Sequence, residues 1–235
     1  MNNKRICFFL LTLFFVSKLF AADDSIYGID ISHHQGEISW EQVKQWNGKK
    51  LHFVYIKATE GATLIDKNYK KNLQGAKDQN LLVGSYHYFK TGSSPEAQFE
   101  NFKKMASKDS QNLIPIVDVE ERGKCNIEAF HARLRCFLKL VEKYYGCKPM
   151  IYTANNFYNK HLANKYKEYK VFIGRYSKNM PTMKDKQDWC VWQFSKKGVV
   201  HGIPKAVDIN MLHEKFEIAK LMINQASAET ASSAF

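Results

Sequence analysis

The 235-residue sequence has no glycine-rich fingerprint behind its first strand pattern, no CxxC or zinc-knuckle spacing, no internal repeat and no block of like charges. The missing fingerprint leaves no cradle for a nucleotide or phosphate and weakens a doubly wound α/β fold. The cysteines do not suit a structural metal, because after Cys7 the thiols at Cys125, Cys136, Cys147 and Cys190 stand 11, 11 and 43 residues apart. Without a repeat or a break in composition, a single domain is expected, and the length suffices for one large core. Acids are in deficit, 23 Asp and Glu against 35 Lys and Arg, for a formal charge of +12. The lysines scatter over many segments, which argues against a dedicated nucleic-acid face. An anionic envelope polymer or membrane surface suits such a chain better.

Long apolar runs are also missing beyond the first twenty residues. Ile6–Val16 is apolar apart from Thr12, too short to span a bilayer comfortably, and Lys18 interrupts soon after. With the basic start Met1–Arg5 and Phe20-Ala-Ala22 ahead of two aspartates, residues 1–22 read as a secretory signal peptide, with an uncleaved anchor as the alternative. Its removal takes away Lys4, Arg5 and Lys18 and lowers the formal charge to +9. Export to periplasm or medium is expected, with no stable membrane anchor afterwards, no nucleic-acid partner and a monomeric state. Four remaining cysteines in an oxidising compartment make one or two disulfides an expectation, with connectivity open. Cys125 and Cys136 could not pair on one continuous helix, where they would lie about 16 Å apart.

What is present is an alternation of short β-rich and longer amphipathic segments. Strands are expected at Ile26–Ser32, His52–Thr59, Leu81–Phe89, Leu113–Glu120, Pro149–Thr153, Val171–Tyr176, Cys190–Phe194 and Ala206–Leu212. Ser39-Trp-Glu-Gln42 has the capping-box pattern and predicts a helix through about Trp46, ended by Asn47-Gly48. Further helices are predicted over 67–79, from Ser94-Pro95 to about 107, over 127–145 with Gly146 as its stop, over 156–166 and over 213–225. Residues 226–235 are small and polar and read as a disordered tail. Five strand–helix units and three further strands point to an α/β barrel whose last part lacks helices, spanning residues 23–225.

The strand Leu113-Ile-Pro-Ile-Val-Asp-Val-Glu120 is the chemical centre of this pattern. Residues two apart on a strand point the same way, with Cα atoms about 6.6 Å apart, so Asp118 and Glu120 share a face. Paired carboxyls in different surroundings suit glycoside hydrolysis, one kept protonated and one ionised. The plain alternative is that Asp-x-Glu ends a strand and caps a loop. In a parallel barrel, functional residues gather at the C-terminal strand ends. Asp30, Glu60, Asp118, Glu120 and Asp208 are all placed at or near such ends, and closure would set Asp30 beside Asp208. Tyr86, Tyr88, Tyr152, Tyr176 and Trp192 are candidate sugar contacts on the same rim, in keeping with an aromatic content of 14%, although strand aromatics serve equally well as core. His33, His34 and His87 read as structural. A magnesium or calcium site over the acids is conceivable, but nothing in the sequence supplies a phosphate cradle to go with it.

The chain resembles the family-25 glycoside hydrolases, lysozymes of the N-acetylmuramidase type, from Tyr27 to about Leu212. The resemblance is carried by Gly28-Ile-Asp-Ile-Ser32 with Gln35-Gly36, Lys57-Ala-Thr-Glu-Gly61, Gly84-Ser-Tyr-His-Tyr-Phe89, Asp118-Val-Glu120, Ile151-Tyr-Thr153, Val191-Trp-Gln-Phe194 with Gly202-Ile203, and Val207-Asp-Ile-Asn210. Gly174-Arg-Tyr176 and the cysteines depart from the pattern, and the wall-binding repeat that many relatives add is not found in this sequence. The resemblance implies an irregular barrel of five β/α units and three strands, acting on peptidoglycan glycan chains at the β-1,4 bond between N-acetylmuramic acid and N-acetylglucosamine. Glu120 would be the general acid, its pKa raised by burial and neighbouring carboxyls. Asp118 would stay ionised and orient the 2-acetamido group that attacks the anomeric carbon, while Asp30 and Asp208 hold the pair's geometry and protonation or bind sugar hydroxyls. Tyr86, Tyr152 and Trp192 would touch substrate, and neither cofactor nor metal is needed. Retaining and inverting outcomes stay open, since one strand face can place the pair near either carboxyl spacing. A non-catalytic wall-binding protein on a degenerate barrel and a glycosidase of chitin-like chains are the alternatives.

Overall fold

Eight strands close into a ring in the computed structural model, which describes residues 24–224. They are β1 (Tyr27–Ile31), β2 (Lys49–Glu60), β3 (Leu82–Tyr88), β4 (Ile116–Asp118), β5 (Met150–Ala154), β6 (Val171–Gly174), β7 (Val191–Gly198) and β8 (Val207–Leu212). Each pairs with its neighbour in sequence, and β1 pairs with both β2 and β8, which shuts the barrel. The signal-like segment 1–22 and the tail 226–235 lie outside the described residues.

The strands run parallel from β1 to β7. The eighth departs from the all-parallel expectation, because β8 is antiparallel to both β7 and β1. Connection length explains it. Parallel neighbours need a crossover of a dozen or more residues, and residues 199–206 are too few to return the chain to the far end of the barrel. Asp208, at the start of β8, therefore comes to the mouth formed by the C-terminal ends of the other strands, with its Cα paired to that of Asp30.

Helices α1 (Tyr69–Asp78), α2 (Pro95–Met105) and α3 (Ile127–Tyr145) follow β2, β3 and β4. Ser94 caps α2 by accepting from the Ala97 amide at 3.2 Å, with Pro95 at the first helical position, and α3 runs from the Asn126 cap to a left-handed Gly146. The helix expected over 156–166 is instead a short α-turn, Asn155–Phe157, running into a π-turn, Tyr158–Leu162. The one expected from Ser39 to Trp46 is a single 3-10 turn at Trp40–Gln42, and Ser39 makes no side-chain cap. There Asn47 and Gly48 both take positive φ, 47° and 77°, and join Gln45–Trp46 to the start of β2 as a tight hairpin. Only residues tolerant of the left-handed region build such a turn. Of the predicted closing helix over 213–225, the described residues show a 3-10 turn at Ile218–Leu221 and a helical start at Ile223 and Asn224, and residue 225 lies outside them.

Aromatic rings fill the barrel's interior below the mouth. Tyr55 packs edge-on to Phe53 and tilted to Phe172, at 6.1 and 6.3 Å between ring centres. Gly84 leaves room for it, since a Cβ there would lie 2.2 Å from the Tyr55 ring. The expected disulfides are not formed. Cys125, Cys136, Cys147 and Cys190 are free thiols, the last two buried in the core.

Candidate active site

At the mouth, Asp30 of β1, Asp118 and Glu120 of the β4 end and Asp208 of β8 line one cavity of about 150 Å3. Tyr55, Ile116 and Phe172 belong to its lining, as do Tyr86, Tyr152, Tyr176 and Gln193. Strand β4 ends at Asp118, so Glu120 stands on the loop just beyond it. Asp118 is 6% exposed while Glu120 is open to solvent. The pair thus has the unequal surroundings that separate an acid from its partner.

Hydrogen bonds tie the far wall together. Asp30 Oδ2 accepts from Gln193 Nε2 at 2.8 Å and from Asn210 Nδ2 at 2.9 Å. Gln193 Oε1 in turn accepts from the hydroxyls of Tyr152 at 2.7 Å and Tyr176 at 2.8 Å. Asp118 differs, because its buried Oδ1 has no partner. A buried acceptor left empty costs about 1–3 kcal/mol, so a site that keeps one has a reason to fill it with a donor from outside.

Burial first, and the neighbouring carboxyls after it, bias the cluster toward protonation. Burial, then Glu120 and Asp30, push the Asp118 carboxyl well above the usual range, with Lys57 pulling the other way. Glu120 is exposed at its surface but hemmed in by the cavity wall, and this partial desolvation, then Asp30 and Glu121, raises its carboxyl. Burial raises Asp30 against its two amide donors, and burial with Asp30 lifts Asp208 to about 8. The ionised Asp118 expected from the sequence is therefore opposed by its surroundings in the free protein.

A stability prediction follows from Asp208. Its carboxyl moves from an ordinary 3.8 to about 8 on folding, so the unfolded chain releases that proton first and stability falls as pH rises from about 4 to 8. Asp208→Asn should match the parent's melting temperature near pH 4 and exceed it at pH 8. Parallel pH profiles for the two proteins would show that Asp208 is not crowded.

Other predicted residues sit elsewhere. Trp192 does not line the cavity. Strand alternation turns it away from Gln193, its Nε1 donates to the Arg175 carbonyl at 2.8 Å, and its ring packs on Trp189 and Phe194. Burial works against ionisation of Glu60, but the Lys57 and Lys90 ammoniums, at 2.6 and 3.6 Å, hold its carboxyl below the usual range. His87 is buried between Thr59 and Gln98, and burial lowers it to about 4, so it stays neutral. His33 Nδ1 meets the buried Asp66 at 2.7 Å. Gln193 is the functional candidate that sequence reasoning passed over. Its signal was the two-residue strand period, which sends Gln193 inward if Trp192 faces out. Among the described residues no three His, Cys, Asp or Glu side chains are grouped to hold a metal ion, and no helix is long and apolar enough to cross a membrane.

The sequence profile of Glycosyl hydrolases family 25 matches residues 29–203. The chain is 37% identical over 198 residues to "Uncharacterized protein YegX" of Escherichia coli, covering 83% of this chain and 72% of that one. It is 32% identical to the "Autolytic lysozyme" of Clostridium acetobutylicum over 80% of this chain and 56% of the relative. A solved family 25 glycosyl hydrolase from Bacillus anthracis superposes with a TM-score of 0.75 at 28% identity, covering 86% of this chain and 93% of that one.

Proposed function

Because the chain belongs to Glycosyl hydrolases family 25 and is a glycoside hydrolase, we propose that it hydrolyses peptidoglycan at the β-1,4 bond between N-acetylmuramic acid and N-acetylglucosamine. The observation that carries this reading is the convergence of four carboxyls from β1, the β4 end and β8 on one aromatic-lined cavity. Binding alone has no use for buried acids that repel one another, since that crowding costs stability. The wall polymer is also the partner that the excess of lysine and arginine over acids suits. Action on the wall is action outside the cytoplasm, and the basic start and apolar run within residues 1–22 support that reading.

Glu120, open to the cavity and biased toward its protonated form, gives its proton to the leaving oxygen. The substrate's 2-acetamido oxygen attacks the anomeric carbon as the glycosidic bond breaks. Asp118 accepts the acetamido N–H on its empty Oδ1. That donor, and the positive charge growing on the sugar, favour the ionised Asp118 and leave the proton of the pair on Glu120. An interaction strongest as charge develops lowers the barrier instead of merely tightening binding. Water then opens the cyclic intermediate, with Glu120 taking its proton. Asp30, held by Gln193 and Asn210, and Asp208 fix the field around the pair, and Tyr86 and Tyr152 offer faces to the sugars.

Incubation with insoluble peptidoglycan should release reducing ends, and chitin oligomers of equal length should be cut far more slowly. Sedimentation with the polymer and no new reducing ends would make it a binding protein. Equal rates on chitin would move the substrate away from the wall.

A further inference from the structure

A second groove, of about 430 Å3, lies on the side of the barrel where the C-terminal strand ends emerge. It runs between the β4–α3 connection and the segment after β5. Arg122, His131, Lys160, His161 and Lys165 line it, with Glu128 the one acid in its walls. Among the described residues none of Arg122, Lys160, His161 and Lys165 forms an ion pair with an acid. Such crowding of cations is unfavourable, and it adds to the effect of burial on the two histidines. Burial, then Lys165, Arg135 and His161, hold His131 below its ordinary value, and burial, Lys160 and Arg122 do the same to His161. His131 meets the Tyr166 hydroxyl through Nδ1 at 2.9 Å, while its enclosed Nε2 has no partner. Cations thus outnumber the single acid around a groove whose floor is largely apolar, and the Arg122 guanidinium also donates to the Cys125 carbonyl.

The groove and the acid cavity draw on the same chain segment just beyond β4. Glu120 lines one and Arg122 the other, and Cα atoms two residues apart are at most about 7 Å from each other. A polymer seated in the cavity must carry neutral sugars under the acids, and any anionic substituent has to find a different wall. We propose that this groove holds the stem peptide of the glycan strand, with its carboxylates against Lys160, Lys165 and Arg122. The inference rests on the peptidoglycan reading of the cavity. The stem hangs from the muramic sugar, and three extended residues reach about 10 Å, more than the spacing of the Glu120 and Arg122 Cα atoms. Its attachment to a sugar already held in the cavity gives it a high effective concentration, which a free phosphate polymer of the wall lacks. Neutral glycan over acids and anionic peptide over cations is a charge complementarity that selects stem-bearing strands and speeds their capture.

The test compares the parent protein with a Lys160→Gln, Lys165→Gln double variant, both side chains being exposed. The substrates are purified stem-bearing muroglycan, the same glycan stripped of stems by an amidase, and stem-bearing glycan with its carboxylates amidated. The variant should lose about fivefold in kcat/KM on the first and nothing on the other two, and added salt should shrink the difference. No loss on stem-bearing glycan, or an equal loss on all three, overturns the proposal while leaving the cavity's reading in place. On intact walls carrying phosphate polymers, assayed as a fourth substrate, a loss with none on purified stem-bearing glycan also overturns it and assigns the groove to phosphate. A parent that cleaves none of the three fails the peptidoglycan reading and this inference with it.

Discussion

Glu120→Gln should lower the turnover of purified peptidoglycan by about 10³, within the range usual for losing a positioned general acid. The amide keeps the shape of the carboxyl but has no proton to give. Burial, Asp30 and Glu121 already penalise the charge on Glu120, so the variant should melt no lower than the parent at neutral pH. The parent's rate should fall as pH rises through a Glu120 pKa above the usual 4.5, and the residual rate of the variant should lack that limb. An aryl glycoside with an acidic leaving group needs little protonation, and on it the variant should recover much of the lost rate. Full activity on peptidoglycan would remove Glu120 from the acid role. An equal loss on the aryl glycoside would point to misfolding or lost binding.

Asp118→Asn should cost about 10²–10³ in turnover, the scale seen when one preorganised electrostatic partner of a transition state is lost. The variant can still fill the site but brings no negative charge to the sugar. It should also be the more stable protein at pH 8, because a buried carboxyl facing Glu120 and Asp30 is replaced by a neutral amide. A gain in melting temperature with a loss of activity separates a catalytic role from a structural one. The acetamido mechanism adds a sharper check. On glycan N-deacetylated at the muramic residue the parent should already be slow, and Asp118→Asn should then cost little more, since both changes remove the same interaction. Additive losses would mean that Asp118 does not act through the acetamido group.

Much of this architecture was legible in the sequence wherever a local signal had one physical meaning. Ser94-Pro95 and Gly146 mark helix ends through capping and backbone preference, and both stand where expected. The eight apolar strands were countable for the same reason. Direction was not, because a strand's pattern reads alike in both senses, and the reversal of β8 depends on the shortness of the connection before it. Asp208 therefore reaches the mouth not from a C-terminal strand end but from the start of a strand that runs backwards. Asn47-Gly48, expected only to end a helix, turns a hairpin instead, and Trp46 packs on Tyr27 and Phe194, at 5.9 and 5.4 Å between ring centres. The departure at Asp118 has another origin. Strand alternation tells which way a carboxyl points, but the depth of the cavity that holds it depends on Tyr86, Tyr152 and Phe172, brought in from three other strands.

The identity of the sugar at the newly formed chain end tests the central claim most directly. Purified peptidoglycan is digested, the products are reduced with borohydride, and the fragments are separated and weighed. Attack at the anomeric carbon of N-acetylmuramic acid predicts reduced muramic acid at every new end. Reduced glucosamine there, or no new ends beside a folded protein, would contradict it.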